Sequence, residues 1–208
     1  MLRTEKITNG PISIYLLYYE NFITEDYFHL LLPEEQEAAL SIKHPLRRRE
    51  FVATRVLRTL EWGRRPILYN EIGAPLLESE GFISISHARC VAGLAQCRSF
   101  RVGLDLEEID SKVMRVKHKF LSEEEKKITD TSSVEEMIKV WSGKEALYKL
   151  AERKQIIFAE NLLLTPIQGT DWKGRIYFPE KKREVDLKIY KKDNFVISYN
   201  VAPVYEVS

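Results

Sequence analysis

The chain has 208 residues, 44% of them hydrophobic and 30% charged, so it can bury a core and is not a disordered tract. That length suits one large domain or two closely packed small ones. The formal net charge of +1 excludes a global basic field for nucleic acid and leaves any attraction to an anionic partner to local clusters.

Ile12–Tyr18, rich in Ile, Tyr and Leu, reads as a strand. The longest apolar runs, such as Ile14–Tyr19, are far too short to span a bilayer. No signal-peptide pattern opens the chain, so a cytoplasmic protein is expected. Pro33-Glu34-Glu35 starts a helix, with proline in the first turn and acids at the positive end of the dipole. Leu46–Trp62 reads as a second helix, with Ala53, Val56, Leu57 and Leu60 at helical spacing and Gly63 as its stop.

Three short strands are expected next: Phe82–His87, Val91–Gln96 and Arg101–Glu107. Arg89 and Cys90 form a tight connection between the first two. Cys90 and Cys97 lack metal-ligand spacing and read as ordinary buried thiols. Ile109–Lys119 is a mixed segment, and Ser122 with Glu125 is a capping-box candidate. A long helix should run over Val134–Glu152, followed by strands at Gly174–Phe178, Val185–Lys191 and Phe195–Val201. Each half thus offers a long helix followed by antiparallel strands, which makes the fold class α+β.

Two constellations carry chemistry. In Val102-Gly103-Leu104-Asp105-Leu106-Glu107, alternation puts Asp105 and Glu107 on one strand face and Leu104 and Leu106 in the core. Carboxylates roughly 6.5–7 Å apart at Cα can converge on one hard cation; an exposed polar strand face is the plainer reading. In Trp141-Ser142-Gly143-Lys144-Glu145-Ala146-Leu147-Tyr148-Lys149, a helix puts Lys144 and Glu145 at the margin of an apolar stripe, where charges need a partner or a metal. Glu145 and Lys149 also suit an ordinary surface i,i+4 pair, and Gly143 permits a close approach by backbone or ligand.

The two segments together resemble the paired signatures of phosphopantetheinyl transferases: Gly103, Asp105 and Glu107, then Trp141, Lys144, Glu145, Ala146 and Lys149. Phe82–Ala88, the arginine-rich stretch from Arg47 to Arg58 and Phe120–Glu125 are similar to further family segments. The likeness is good over about residues 30–150 and poor over the last fifty. Ser84 and Ala88 depart from the family's histidine segment, Ala74 stands where a phosphate-binding lysine is usual, and the glycines that follow the signature helix are absent from Leu150–Lys154.

By length the chain resembles the double-sized, surfactin-synthetase-activating type. That implies a monomeric pseudo-dimer of two similar halves, 1–105 and 106–208, each a long helix on a small antiparallel sheet. It also implies an enzyme that moves the 4′-phosphopantetheine arm of coenzyme A onto a serine of an apo acyl or peptidyl carrier protein, with Mg2+ (or Mn2+), releasing 3′,5′-ADP. Asp105, Glu107 and Glu145 are then the metal ligands, with Glu145 either ligand or base. Lys144 and Lys149 meet phosphates, and Arg49, Ser86 and His87 hold the 3′-phosphate end. An acidic carrier is expected to dock on Lys112, Val113, Met114, Arg115 and Phe120; an amphipathic helix with a solvated basic face is the alternative there. A relative that binds coenzyme A or a carrier without transfer also stays open.

Overall fold

The computed structural model describes residues 2–78, 80–152 and 155–207; Arg153 and Lys154, just past the signature helix, lie outside them. The first half holds β1 (Arg3–Asn9), β2 (Ile12–Tyr18), α1 (Pro33–Ser41), α2 (Pro45–Trp62), β3 (Leu68–Tyr69), β4 (Pro75–Leu76), β5 (Phe82–Ala88) and β6 (Val91–Cys97). The second holds β7 (Leu104–Glu108), α3 (Val113–Val116), α4 (Glu125–Ile128), α5 (Val134–Ala151) and α6 (Phe158–Asn161). Its remaining strands are β8 (Leu162–Gln168), β9 (Asp171–Tyr177), β10 (Lys182–Lys192), β11 (Phe195–Asn200) and β12 (Tyr205–Val207).

Two antiparallel sheets result, ordered β1-β2-β6-β5-β4-β3 and β7-β11-β10-β9-β8, with β12 on β10. The expected α+β class holds, with each sheet packed against a long helix. β7 pairs with β11, Asp105 opposite Ser198, so the 105/106 division falls inside a strand of the second sheet.

Alternation along the strands builds the layers. Ile14 and Leu16 of β2 meet Leu104 and Leu106 of β7 and Ile197 of β11 in a core between the two sheets. Tyr15 and Leu17, pointing the other way, pack with Val52, Val56 and Leu57 of α2. Met137, Val140 and Leu147 of α5 close over Leu164, Trp172 and Leu187 of the second sheet. The layers are therefore helix, sheet, sheet, helix.

The helix signals are realised locally. Pro33 opens α1, and the Leu32 N–H donates to Glu35 Oε2 at 3.0 Å. Gly63 ends α2 at φ 75°, a left-handed conformation that glycine adopts freely. The capping box forms: Glu125 N–H donates to Ser122 Oγ at 3.1 Å, and Ser122 N–H donates to Glu125 Oε2 at 2.9 Å. Gly143 is closely approached by side chains rather than backbone: a Cβ there would lie 2.5 Å from Ile189 Cδ1.

β7 is an edge strand, and its free edge is capped by side chains. Ser84 Oγ accepts from Leu104 N–H at 2.9 Å, and Ser86 Oγ accepts from Leu106 N–H at 3.0 Å. Two hydroxyls of β5 thus do what a further strand would otherwise do, and they join the halves.

Candidate active site

Gly103 sets the site's depth. A Cβ on it would stand 2.5 Å from the Ala146 carbonyl oxygen, so only glycine lets α5 settle this close to the start of β7. Asp105 and Glu107 then lie beneath the helical face that carries Trp141, Glu145 and Lys149.

Asp105 is buried at 4% exposure. Its Oδ1 accepts from Lys149 Nζ at 2.9 Å and from Ser86 Oγ at 3.0 Å. Its Oδ2, equally buried, has no hydrogen-bond partner among the described residues. Lys149 Nζ also donates to the Leu104 carbonyl at 2.6 Å. Glu107 Oε1 accepts from Trp141 Nε1 at 2.8 Å. Burial and then the Asp105 charge push the Glu107 carboxyl up to about 7, against the Trp141 hydrogen bond. Glu145 is pushed up to about 7 by burial and Asp105, against Lys149. The three acids and Lys149 form one electrostatic cluster.

A hard divalent cation suits this donor set: all oxygen, mutually repelling, with one buried carboxylate oxygen unpartnered. The acids are not closed into a chelate, and among the described residues no three His, Cys, Asp or Glu side chains are grouped to hold a metal.

Two recesses flank the cluster. A cavity of about 300 Å³ is lined by Arg55, Tyr69, Ala74, His87, Arg101 and Lys149, among others. A groove of about 670 Å³ contains Arg49, Glu50, His87, Glu107 and Glu108. His87 borders both; its Nε2 lies 2.6 Å from Thr54 Oγ1. Burial, then Lys149 and Arg55, push its imidazole down to about 4, so it stays neutral near pH 7.

Asp105, Glu107, Glu145 and Lys149 are therefore brought together, and His87 and Arg49 stand beside them. Three expected contacts need correction. Lys144 is fully buried, 2.6 Å from Glu125 Oε2, and donates to the carbonyls of Phe120 and Phe158, so its ammonium has no free face for a phosphate. Ser86 is buried at 7% exposure, and its hydroxyl is spent on Asp105 and Leu106, because alternation along β5 points it between the sheets while His87 points toward Thr54 of α2. Phe120 is fully buried, packs 5.3 Å from the Trp141 ring and cannot meet a carrier, and Val113 is 6% exposed, showing only a small surface to the groove it lines with Lys112 and Trp141. Lys112 and Arg115 are exposed and Met114 half-buried.

Sequence reasoning gave no role to Arg101 or Tyr148, nor to Ser84 beyond noting it as a departure. Arg55 was visible only as one of several arginines on a helix. The alternation of Ser84 and Ser86 with apolar residues was the available signal for the inter-sheet hydroxyls.

Residues 101–199 match the family described as the 4′-phosphopantetheinyl transferase superfamily. No curated protein matches the chain. Strand β7 and helix α5, with the whole acid cluster they carry, fall inside the matched segment.

Proposed function

We propose that the protein transfers the 4′-phosphopantetheine group of coenzyme A to a serine of an apo acyl or peptidyl carrier protein, as a cytoplasmic monomer. The observation that carries this reading is the buried, unpartnered Asp105 Oδ2 among the Glu107 and Glu145 carboxylates, next to a cavity with three cations on its walls. The serine oxygen attacks the β-phosphorus, the bond from that phosphorus to the bridging oxygen breaks, and 3′,5′-ADP leaves; such a reaction needs positioning and charge neutralisation above all. Mg2+ or Mn2+, held by Asp105 and Glu107 with Glu145 as a further oxygen donor, supplies part of that neutralisation when bound.

The chain's own groups do the rest. Trp141 fixes one oxygen of Glu107, and Ser86 and Lys149 fix one oxygen of Asp105. Glu145 orients the water that takes the serine proton. Arg55 and Lys149, each held by groups of the protein, line the cavity and lend it positive charge for the nucleotide, and Arg49 lines the groove beside Glu107. The carrier approaches over exposed Lys112 and Arg115, with Met114 and the 38%-exposed Val116 as apolar contacts. A groove of about 370 Å³ leads from Lys112 past Trp141 to Glu107.

Incubating an apo carrier with protein, coenzyme A and Mg2+ and measuring its intact mass tests this. A gain of one phosphopantetheine is expected. Coenzyme A binding without that gain would point to the non-transferring relative, and no binding at all would remove the reading.

A further inference from the structure

We infer that Arg101 is an anion-binding residue held in waiting by Glu152, and that a phosphomonoester on the incoming nucleotide takes the place of the Glu152 carboxylate. The inference rests on the proposed function for naming that nucleotide as coenzyme A.

Among the described residues lining the 300 Å³ cavity, the charged side chains are Arg55, Arg101, Lys149 and Glu152, three cations against one acid. Two of the cations are paired within the protein. Lys149 is bound to Asp105 and to the Leu104 carbonyl. Arg55 is 7% exposed, stacks 3.7 Å over the Phe51 ring, donates to Tyr69 Oη at 3.2 Å and has its Nε 3.7 Å from Glu35, without a hydrogen bond. The turn Ile72–Pro75 lines the cavity but carries Ala74 and brings no cation. Arg101 is the cation whose partner is itself an exposed acid on the wall of the same cavity.

Its pairing with Glu152 is close, 2.6 Å, but loosely founded. Glu152 lies just past the end of α5 in the left-handed region, φ 55°, with its side chain 41% exposed. A carboxylate at a helix C-terminus faces the negative end of the dipole, so α5 itself disfavours Glu152 there. Arg101 is its partner among the described residues. A phosphomonoester brings about −1.5 to −2 charge and three acceptor oxygens against one charge and two oxygens, so it outcompetes the carboxylate for a bidentate guanidinium. Glu152 then turns to water at little cost. Arg101 stands four residues before Asp105 in the chain, on the same cavity as Lys149.

Calorimetry with coenzyme A and with dephospho-coenzyme A tests this on wild type, Arg101→Gln, Glu152→Gln and the double variant. Arg101→Gln should weaken coenzyme A by about ten- to a hundredfold and dephospho-coenzyme A by less than about threefold. Glu152→Gln should tighten coenzyme A by about three- to tenfold, a gain absent from the double variant. If wild type binds coenzyme A and Arg101→Gln binds it equally well, the inference falls while the functional reading stands. If Glu152→Gln lowers the melting temperature and binds coenzyme A no better, the pair is structural and the inference is overturned. A wild type that binds neither ligand removes the functional reading, and the inference with it.

Discussion

The two halves carry the same buried post beneath different strands. In the first half Glu35 accepts from the Leu32 N–H in the opening turn of α1 and holds Arg58 of α2 at 2.6 Å, with the Arg58 side chain fully buried. In the second half Glu125 accepts from the Ser122 N–H at the start of α4 and holds Lys144 of α5 at 2.6 Å, both side chains fully buried. Each time the acid that caps a short helix neutralises a cation from the following long one. The strands beneath the long helices differ. β2 sends Tyr15 and Leu17 toward α2, whereas β7 sends Asp105 and Glu107 toward α5. β2 is flanked by β1, whereas β7 has an open edge closed by Ser84 and Ser86. One arrangement thus serves packing in the first half and charge in the second, and the change comes down to a pair of alternate positions on one strand.

Substitution at those positions should separate the two uses. Asp105→Ala or Glu107→Ala should lower transfer by at least about 10³-fold with little loss of stability, since the site loses oxygen donors and no packing. Leu17→Ala in the first half should cost about 2–5 kcal/mol of stability and leave the rate per folded molecule near wild type. Steady-state transfer and urea unfolding on the same preparations read both.

Both posts should matter to stability. Lys144→Met should cost about 3–5 kcal/mol in urea unfolding, because it strands a fully buried carboxylate, and Arg58→Met less, because Arg55 stays 3.7 Å from Glu35, whose side chain is 12% exposed. A Lys144 variant that unfolds like wild type but binds coenzyme A poorly would put that ammonium back on a phosphate and break the parallel.

A pH effect is expected in the first half. His87 gives up its proton more readily when folded, so the unfolded chain binds more protons between the ordinary imidazole value and about 4. The His87 contribution to stability should be whole above pH 6.5 or so and be lost as pH drops through that window, while the raised carboxyls of Glu107 and Glu145 act in the opposite sense there. The stability difference between wild type and His87→Gln should therefore shift against wild type as pH falls from about 6.5 to about 4; a difference that does not change with pH would contradict the buried, neutral imidazole.

The smallest effect belongs to the carrier surface. Reversing Lys112 and Arg115 to Glu should raise the carrier KM by about three- to tenfold, flatten its salt dependence and leave coenzyme A affinity unchanged. A carrier KM and salt dependence like the wild type would put docking elsewhere.

The long amphipathic helices and central strands were legible because their apolar residues follow one period. β1 was not: Arg3–Asn9 is an edge strand with mostly exposed, mixed polar side chains. β8 escaped because Pro166 sits at an irregularity in its pairing, and β3 and β4 are only two residues each. The acids and Lys149 were legible as a motif, since strand alternation and helical spacing fix their faces. Lys144 was misread for a reason of the same kind: its place at the stripe's margin was visible, but not that Phe120 and Phe158 would supply carbonyls over it. Phe120 was misread as surface because spacing within one short segment does not say which side the rest of the chain will cover.

The most direct measurement is a Mn2+ titration by electron paramagnetic resonance, in the presence of coenzyme A, on wild type, Asp105→Asn and Leu17→Ala. A tight Mn2+ site is expected in wild type and in folded Leu17→Ala, lost or weakened by about a hundredfold in Asp105→Asn. Equal Mn2+ binding by wild type and Asp105→Asn would contradict the claim that the acids of β7 set the second half apart from the first.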